Sequence, residues 1–137
     1  MAFYRGQEGS VKFDDAGTTA AAITSTRAWT LSVEKEAMDT TTLGDTYRAN
    51  IGGLISGSGT VELLYTASSA DETNVFIEMV NSANDDGAAL FELYLYSTTK
   101  KITFDGVITS AEYSATVGEI EVITCNFVTN GAITLDI

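Results

Sequence analysis

The chain has 137 residues, with 19 acidic and 7 basic side chains, a net charge of −12, no histidine, no proline and one cysteine. That length and a hydrophobic fraction of 45% suit one globular domain, residues 1–137, able to form a core without disulfides or metal. The lack of histidine removes the commonest general base, the commonest zinc ligand and every Ser-His or Cys-His nucleophile pair, and the acidic balance opposes binding to polyanions such as nucleic acid.

No run reaches the roughly 18 apolar residues of a membrane helix. The opening MAFYRGQEG has no apolar segment of the secretory type. Period-two alternation then dominates. Residues 9–13 read as a first strand, ended by a turn at Asp14, Asp15, Ala16 and Gly17. From Arg27, the apolar row Trp29, Leu31, Val33 alternates with Thr30, Ser32, Glu34. Val61, Leu63 and Tyr65 alternate with Thr60 and Glu62.

One segment breaks this rhythm. In SSADETNVFIEMVNSANDDG, Ser69 and Glu72 have capping-box spacing and Asp71 and Glu72 suit a helix N-terminus. Val75, Phe76, Met79 and Val80 fall on one helical face, and a stop is expected at residues 84–87. One helix of about three turns is therefore expected in an otherwise β domain. Strands resume with Phe91, Leu93 and Leu95 alternating with Glu92, Tyr94 and Tyr96, followed by Ile102 and Phe104. Residues 107–114 and 119–129 flank a turn near Gly118. Apolar parity changes between Ile120, Val122 and Ile123, Cys125, Phe127, which predicts a bulge or a strand passing between sheets. Residues 132–137 read as a final strand.

The polar faces of these strands are one-signed. They carry Thr30, Ser32, Glu34; Ser58, Thr60, Glu62; Ser110, Glu112, Ser114; and Glu119, Glu121, without lysine or arginine. A solvated face usually mixes both signs. Asp14-Asp15 and Asp85-Asp86 lack the calcium-loop spacing, and turn chemistry explains them without a metal. Cys125 and Trp29 read as core. The glycines at 52, 53, 57 and 59 lack the spacing and lysine of a phosphate loop. No cofactor is expected.

If the strands around Trp29 and Val61 pair, a loop of about 37–56 connects them, far beyond the ~2–5 residues of ordinary hairpins. Scattered apolar residues, Leu43, Tyr47, Ile51, Leu54 and Ile55, together with Asp45 and Arg48, make it an arm to be ordered by a neighbouring subunit. Arg48 is one of three arginines in the chain.

The order of these pieces is familiar. WTLSVEKE leads into TTLGD and then GLISGSGTVELLY, one acidic-capped helix follows, and the chain closes with VITSAEYSATVGEI and FVTNGAI. Over essentially its full length it resembles the major tail tube proteins of tailed bacteriophages. The resemblance implies a mainly β fold, a β-sandwich or small barrel with one flanking α-helix and a long hairpin loop. It implies a structural protein and no enzyme. Six subunits would form a ring whose inner strands join in one β-barrel, and rings would stack into a tube through which the DNA genome passes. The implied partners are copies of the chain and other tail proteins (tape measure, terminator, baseplate or tip), with no membrane. The location would be the virion tail, and the host cytoplasm during assembly. Lumen-facing candidates are then Ser32, Glu34, Thr60, Glu62, Glu112, Glu119 and Glu121.

Two other classes fit parts of the pattern. A monomeric Ig-like or carbohydrate-binding module, a virion decoration or adhesin, needs an aromatic platform, for which Tyr94, Tyr96 and Tyr113 are the candidates. A glycosidase-like enzyme using two carboxylates needs a cleft.

Overall fold

The computed structural model describes residues 9–14, 21–22, 26–65, 76, 78–82, 86–96 and 99–137. The alternating segments become strands β1 (Ser10–Asp14), β2 (Ala21–Ala22), β3 (Thr26–Asp39), β4 (Asn50–Leu64), β5 (Ala89–Tyr96), β6 (Lys100–Ser114) and β7 (Val122–Asp136). They form one antiparallel sheet in the order β2-β1-β5-β6-β7-β4-β3.

That sheet cannot be flat. Val11 and Phe13 of β1 share one buried cluster with Val61 and Leu63 of β4, although β5, β6 and β7 stand between them. Four strand steps would span roughly 19 Å on a flat sheet, beyond side-chain contact. The sheet therefore curls and brings β1 toward β3.

The curl is made where β6 and β7 change neighbours. Residues 100–106 of β6 pair with β5, and residues 107–114 do not. Residues 122–128 of β7 pair with β4, and the rest of β7 pairs only with β6. Between the two halves the register steps from Phe104↔Ile133 to Gly106↔Thr129. The surplus residues on β7 include Gly131, at φ 94°, a left-handed conformation that glycine adopts without strain. A second irregularity, at Thr109, separates Ile108↔Phe127 from Ser110↔Asn126. Bulges bend a strand and increase its twist. The result is two lobes folded over a common core, the expected sandwich or small barrel.

The core is aromatic. Phe91 lies 5.1 Å, ring centre to ring centre, from each of Phe13, Phe104 and Phe127, and 6.1 Å from Phe76. Cys125 is fully buried among them. Burial pushes its thiol up to about 11, so it behaves as a small apolar side chain. Trp29 and Leu31 pack on the same cluster from β3. At Gly59 any side chain would run into the Thr30 carbonyl and approach Phe127 Cζ at 2.6 Å, so this close crossing of β3, β4 and β7 requires glycine.

Several sequence expectations change. Asp14 belongs to β1, opposite Leu90, and is buried rather than in a turn. Strand β7 starts at Val122, not at Glu119. Val122 and Ile123 stay in register with Leu64 and Leu63 and with Ser114 and Tyr113. The parity change there is the end of a turn, and the real bulges lie further along. Residues 132–136 continue β7 rather than forming a separate strand. On β5, Leu95 is exposed and Tyr94 is buried.

The expected capping residues Ser69, Asp71 and Glu72, and Val75, lie outside the described residues. Phe76 and Glu78 are helical and run into a 3-10 turn, Met79–Asn81, with Ser82 already extended. The chain thus leaves the helix before the stop expected at residues 84–87. Phe76, Met79 and Val80 do face the core.

Candidate assembly and lumen surface

The lobe made of β3, β4, residues 122–128 of β7 and residues 107–114 of β6 carries most of the candidate residues. Its core face presents Val61, Leu63, Ile123, Cys125 and Phe127. Alternation puts the polar rows on the other face. One row crosses four strands as Thr30, Thr60, Asn126 and Ser110, and the next as Ala28, Glu62, Thr124 and Glu112. Ser32 lies opposite Ser58, and Glu34 opposite Ser56. The Thr60 hydroxyl donates to Asn126 Oδ1 at 2.8 Å, and Asn126 Nδ2 donates to Ser110 Oγ at 2.8 Å. This cross-strand chain fixes the side-chain amide. Sequence reasoning missed Asn126, although its place between the core residues Cys125 and Phe127 is the signal that puts it on the polar face.

The face is not free of positive charge. A bulge between Thr26↔Leu63 and Ala28↔Glu62 inserts Arg27, whose Nη1 stands 3.7 Å from Glu62 Oε1 with both side chains partly exposed. Such a pair contributes little to stability. Two candidates also leave the face. Glu119 sits in the β6–β7 turn, where its N–H donates to the Thr116 carbonyl at 3.1 Å. Glu121 precedes β7 and lines a groove with Tyr65, Tyr113 and Ile123. By strand parity Ile123 belongs to the core side, opposite the face that carries Glu62 and Glu112.

Two long edges bound this lobe. The outer side of β3 and the side of β6 away from β7 over residues 107–114 have no strand partner among the described residues. Because the four strands alternate in direction, β3 and β6 run antiparallel to each other. Copies set side by side in the same orientation would therefore bring antiparallel edges together.

The β3–β4 hairpin extends far beyond the core. Pairing continues to Met38↔Ile51 and Asp39↔Asn50, so the irregular connection is residues 40–49 rather than about 37–56. Backbone pairing needs no apolar alternation, which is why a Gly-rich polar segment can still be strand. Ile51, Leu54 and Ile55 belong to this stalk and are exposed. Leu43 and Tyr47 sit in the tip at 105% and 86% exposure.

The tip is itself ordered. Thr40 N–H donates to the Ala49 carbonyl at 2.8 Å. Asp39 Oδ1 accepts from Thr41 N–H at 2.8 Å, and Asp45 Oδ2 accepts from Thr42 N–H at 2.8 Å and from its hydroxyl at 3.0 Å. The Thr41 hydroxyl and N–H hold the Asp39 carboxyl below its ordinary value, and the Thr42 N–H and hydroxyl do the same for Asp45. Asp45 thus stabilises its own turn, and Arg48 is the cation of the tip.

The three candidate platform tyrosines do not share one exposed surface. Tyr94 is only 3% exposed. Its hydroxyl donates to Glu92 Oε2 at 2.7 Å, and the Lys12 and Lys101 ammoniums lie 5.1 and 5.7 Å from its ring centre. Burial, then Glu92, pushes its hydroxyl up to about 12. Tyr113 lies on the half of β6 that β5 does not reach.

Neither the protein-family models nor the sequences of curated proteins give a match. Solved structures do. The chain matches the tail of an empty gene transfer agent particle, computed with C6 symmetry, at a TM-score of 0.80 and 20% identity, over 97% of this chain and 98% of that one. It matches the SPP1 tail tube at a TM-score of 0.68 and 17% identity, over 97% and 80% of the two chains. A chain of the anti-feeding prophage baseplate matches at a TM-score of 0.67 and 8% identity, over 98% and 95%.

The chain has the tail-tube fold. Because the likeness spans nearly the whole chain, both lobes and the projecting hairpin are parts of the tail-tube fold rather than additions to it.

Proposed function

We propose that this chain is a structural subunit of a virion tail tube. Six copies join through their β3 and β6 edges into a ring, and rings stack into a tube that conducts DNA. The observation that carries this reading is the four-stranded lobe, antiparallel throughout and open at both ends. Head-to-tail contacts of this kind close into rings, and closure removes edges that would otherwise pair without control. The C6 symmetry used for the gene transfer agent tail supports a six-membered ring. The subunit has a scaffolding role and no catalytic one. It meets the tape measure, terminator and baseplate proteins in the tail, and is assembled in the host cytoplasm.

On this reading the hydroxyl and carboxylate face lines the lumen. Thr60, Asn126 and Ser110 spend hydrogen-bonding capacity on one another, and Glu34, Glu62 and Glu112 repel the phosphate backbone. Arg27 stands beside Glu62 and is outnumbered by the carboxylates, so the wall repels phosphate on balance and DNA slides.

Electron microscopy of the purified protein is the direct test. Tubes or six-fold rings are expected, and a protein that stays monomeric at high concentration overturns the reading. The lumen assignment has its own test. A Glu62→Lys, Glu112→Lys double variant should form tubes of normal length yet lower DNA delivery by about tenfold or more, since clustered cations hold phosphates. Normal delivery through such tubes would place this face elsewhere.

A further inference from the structure

The chain has six asparagines, and only Asn130 is followed by glycine. The pair stands in the β7 bulge. Residues 130–132 have no register partner on β6, and pairing with β4 has ended at Val128. Both Asn130 and Gly131 are exposed. Asn130 nevertheless has one fixed contact: its Nδ2 donates to the Gly87 carbonyl at 3.0 Å. Gly87 is buried, and a Cβ there would lie 2.5 Å from that nitrogen and 3.5 Å from Val107 Cγ2. Two residues on, Ala89 pairs with Gly106. The amide thus clamps the start of β5 to the corner where β6 and β7 change neighbours. Beside the clamp, Asp86 Oδ1 accepts from Ala88 N–H at 3.0 Å.

This corner holds the parts of a self-directed reaction. The Gly131 nitrogen, once it has lost its proton, can attack Asn130 Cγ. The new C–N bond closes a five-membered imide, the Cγ–Nδ2 bond breaks, and ammonia carries the proton away. Water then opens the ring at either carbonyl and leaves an aspartate or an isoaspartate. One water enters, one ammonia leaves, and no electrons are exchanged. The attack needs a neighbour without a Cβ to crowd it and a backbone free to turn. Gly131 supplies the first and the unpaired bulge the second. The Gly87 bond acts as the brake, because it must break before Cγ can turn toward the nitrogen.

We propose that Asn130 is a self-modification site, converted without an enzyme, and that its conversion opens the clamp on Gly87. An amide donates and an ionised carboxylate only accepts. The product therefore turns an acceptor toward the Gly87 carbonyl and places a negative charge near Asp86. The change is irreversible and accumulates with the age of the subunit. It is independent of how copies assemble.

The purified wild-type protein tests this when it is held in mildly alkaline buffer, folded and in urea. Released ammonia is assayed and the products are located by peptide mapping. In the folded protein, conversion at Asn130 is expected ahead of the other five asparagines, and faster still in urea. Asn130→Gln, which would have to close a larger ring, should release no ammonia over the same period. The converted fraction carries an extra negative charge and can be separated by anion exchange. Its Ala88 amide should exchange hydrogen about tenfold faster than in fresh protein, as the loss of one hydrogen bond implies, and Asn130→Asp should reproduce that rate. Folded protein that keeps Asn130 intact after the urea sample has converted, or that converts first at another asparagine, would overturn the site. Conversion at Asn130 with unchanged exchange at Ala88 would overturn the clamp.

Discussion

Phe91→Ala is expected to remove about 3–5 kcal/mol of folding stability, the largest single loss the core offers. Phe91 is fully buried, and its ring meets those of Phe13 and Phe76 edge-on, Phe104 stacked and Phe127 tilted. These rings come from β1, the helical turn, β6 and β7, so truncation removes the contact shared by both lobes. Interactions between such rings contribute roughly 0.5–1.5 kcal/mol per pair beyond the area they bury. Domains of this kind have only about 5–15 kcal/mol in total, so much of the margin would go. Phe91→Leu, which keeps most of the volume, should lose far less. Urea unfolding of both variants measures the difference. A loss below about 1 kcal/mol for the alanine variant would mean that the two lobes are stable without their aromatic centre.

Removing the hairpin tip is expected to have the opposite profile. Residues 40–49 can be replaced by Asn-Gly, because Asp39 and Asn50 are already paired and a two-residue turn of that type closes an antiparallel hairpin. All ten residues are exposed, and surface changes usually stay within about 0.5 kcal/mol. The variant should therefore unfold at nearly the wild-type urea midpoint and form no tubes. Analytical ultracentrifugation and electron microscopy together decide it. Tubes of normal length from a tipless protein would show that the tip has no part in assembly.

The contrast between these variants reflects what was legible in the sequence. Core positions were, because alternation of Trp29, Leu31, Val61, Leu63, Phe91 and Leu93 is imposed by a half-buried sheet. The inward face of Phe76, Met79 and Val80 was legible for the same reason at helical spacing. The change of neighbours along β6 and β7 was not. Gly106, Thr109 and Gly131 mark it, but a bulge shifts register without leaving a repeating pattern. Parity near Ile120 pointed to the wrong place because a turn also interrupts alternation.

The candidate assembly surface was legible only in part. The hydroxyl and carboxylate rows on β3, β4 and β6 do meet on one face, as strand pairing requires. Glu119 and Glu121 do not join them, since membership depends on where β7 begins. Arg27 was missed because its placement beside Glu62 follows from a bulge. The length of the arm was overestimated: its distal strands have no core to face, and so carry no apolar alternation to announce them.

The two open edges and the net charge of −12 act over different distances. Repulsion between like-charged copies extends about 8 Å in physiological salt, whereas strand pairing acts only at contact. Two free subunits thus meet a barrier before they meet any gain. If copies join as proposed, raising the ionic strength should therefore speed their first meeting, because it shortens the range of the repulsion and leaves the contact terms unchanged.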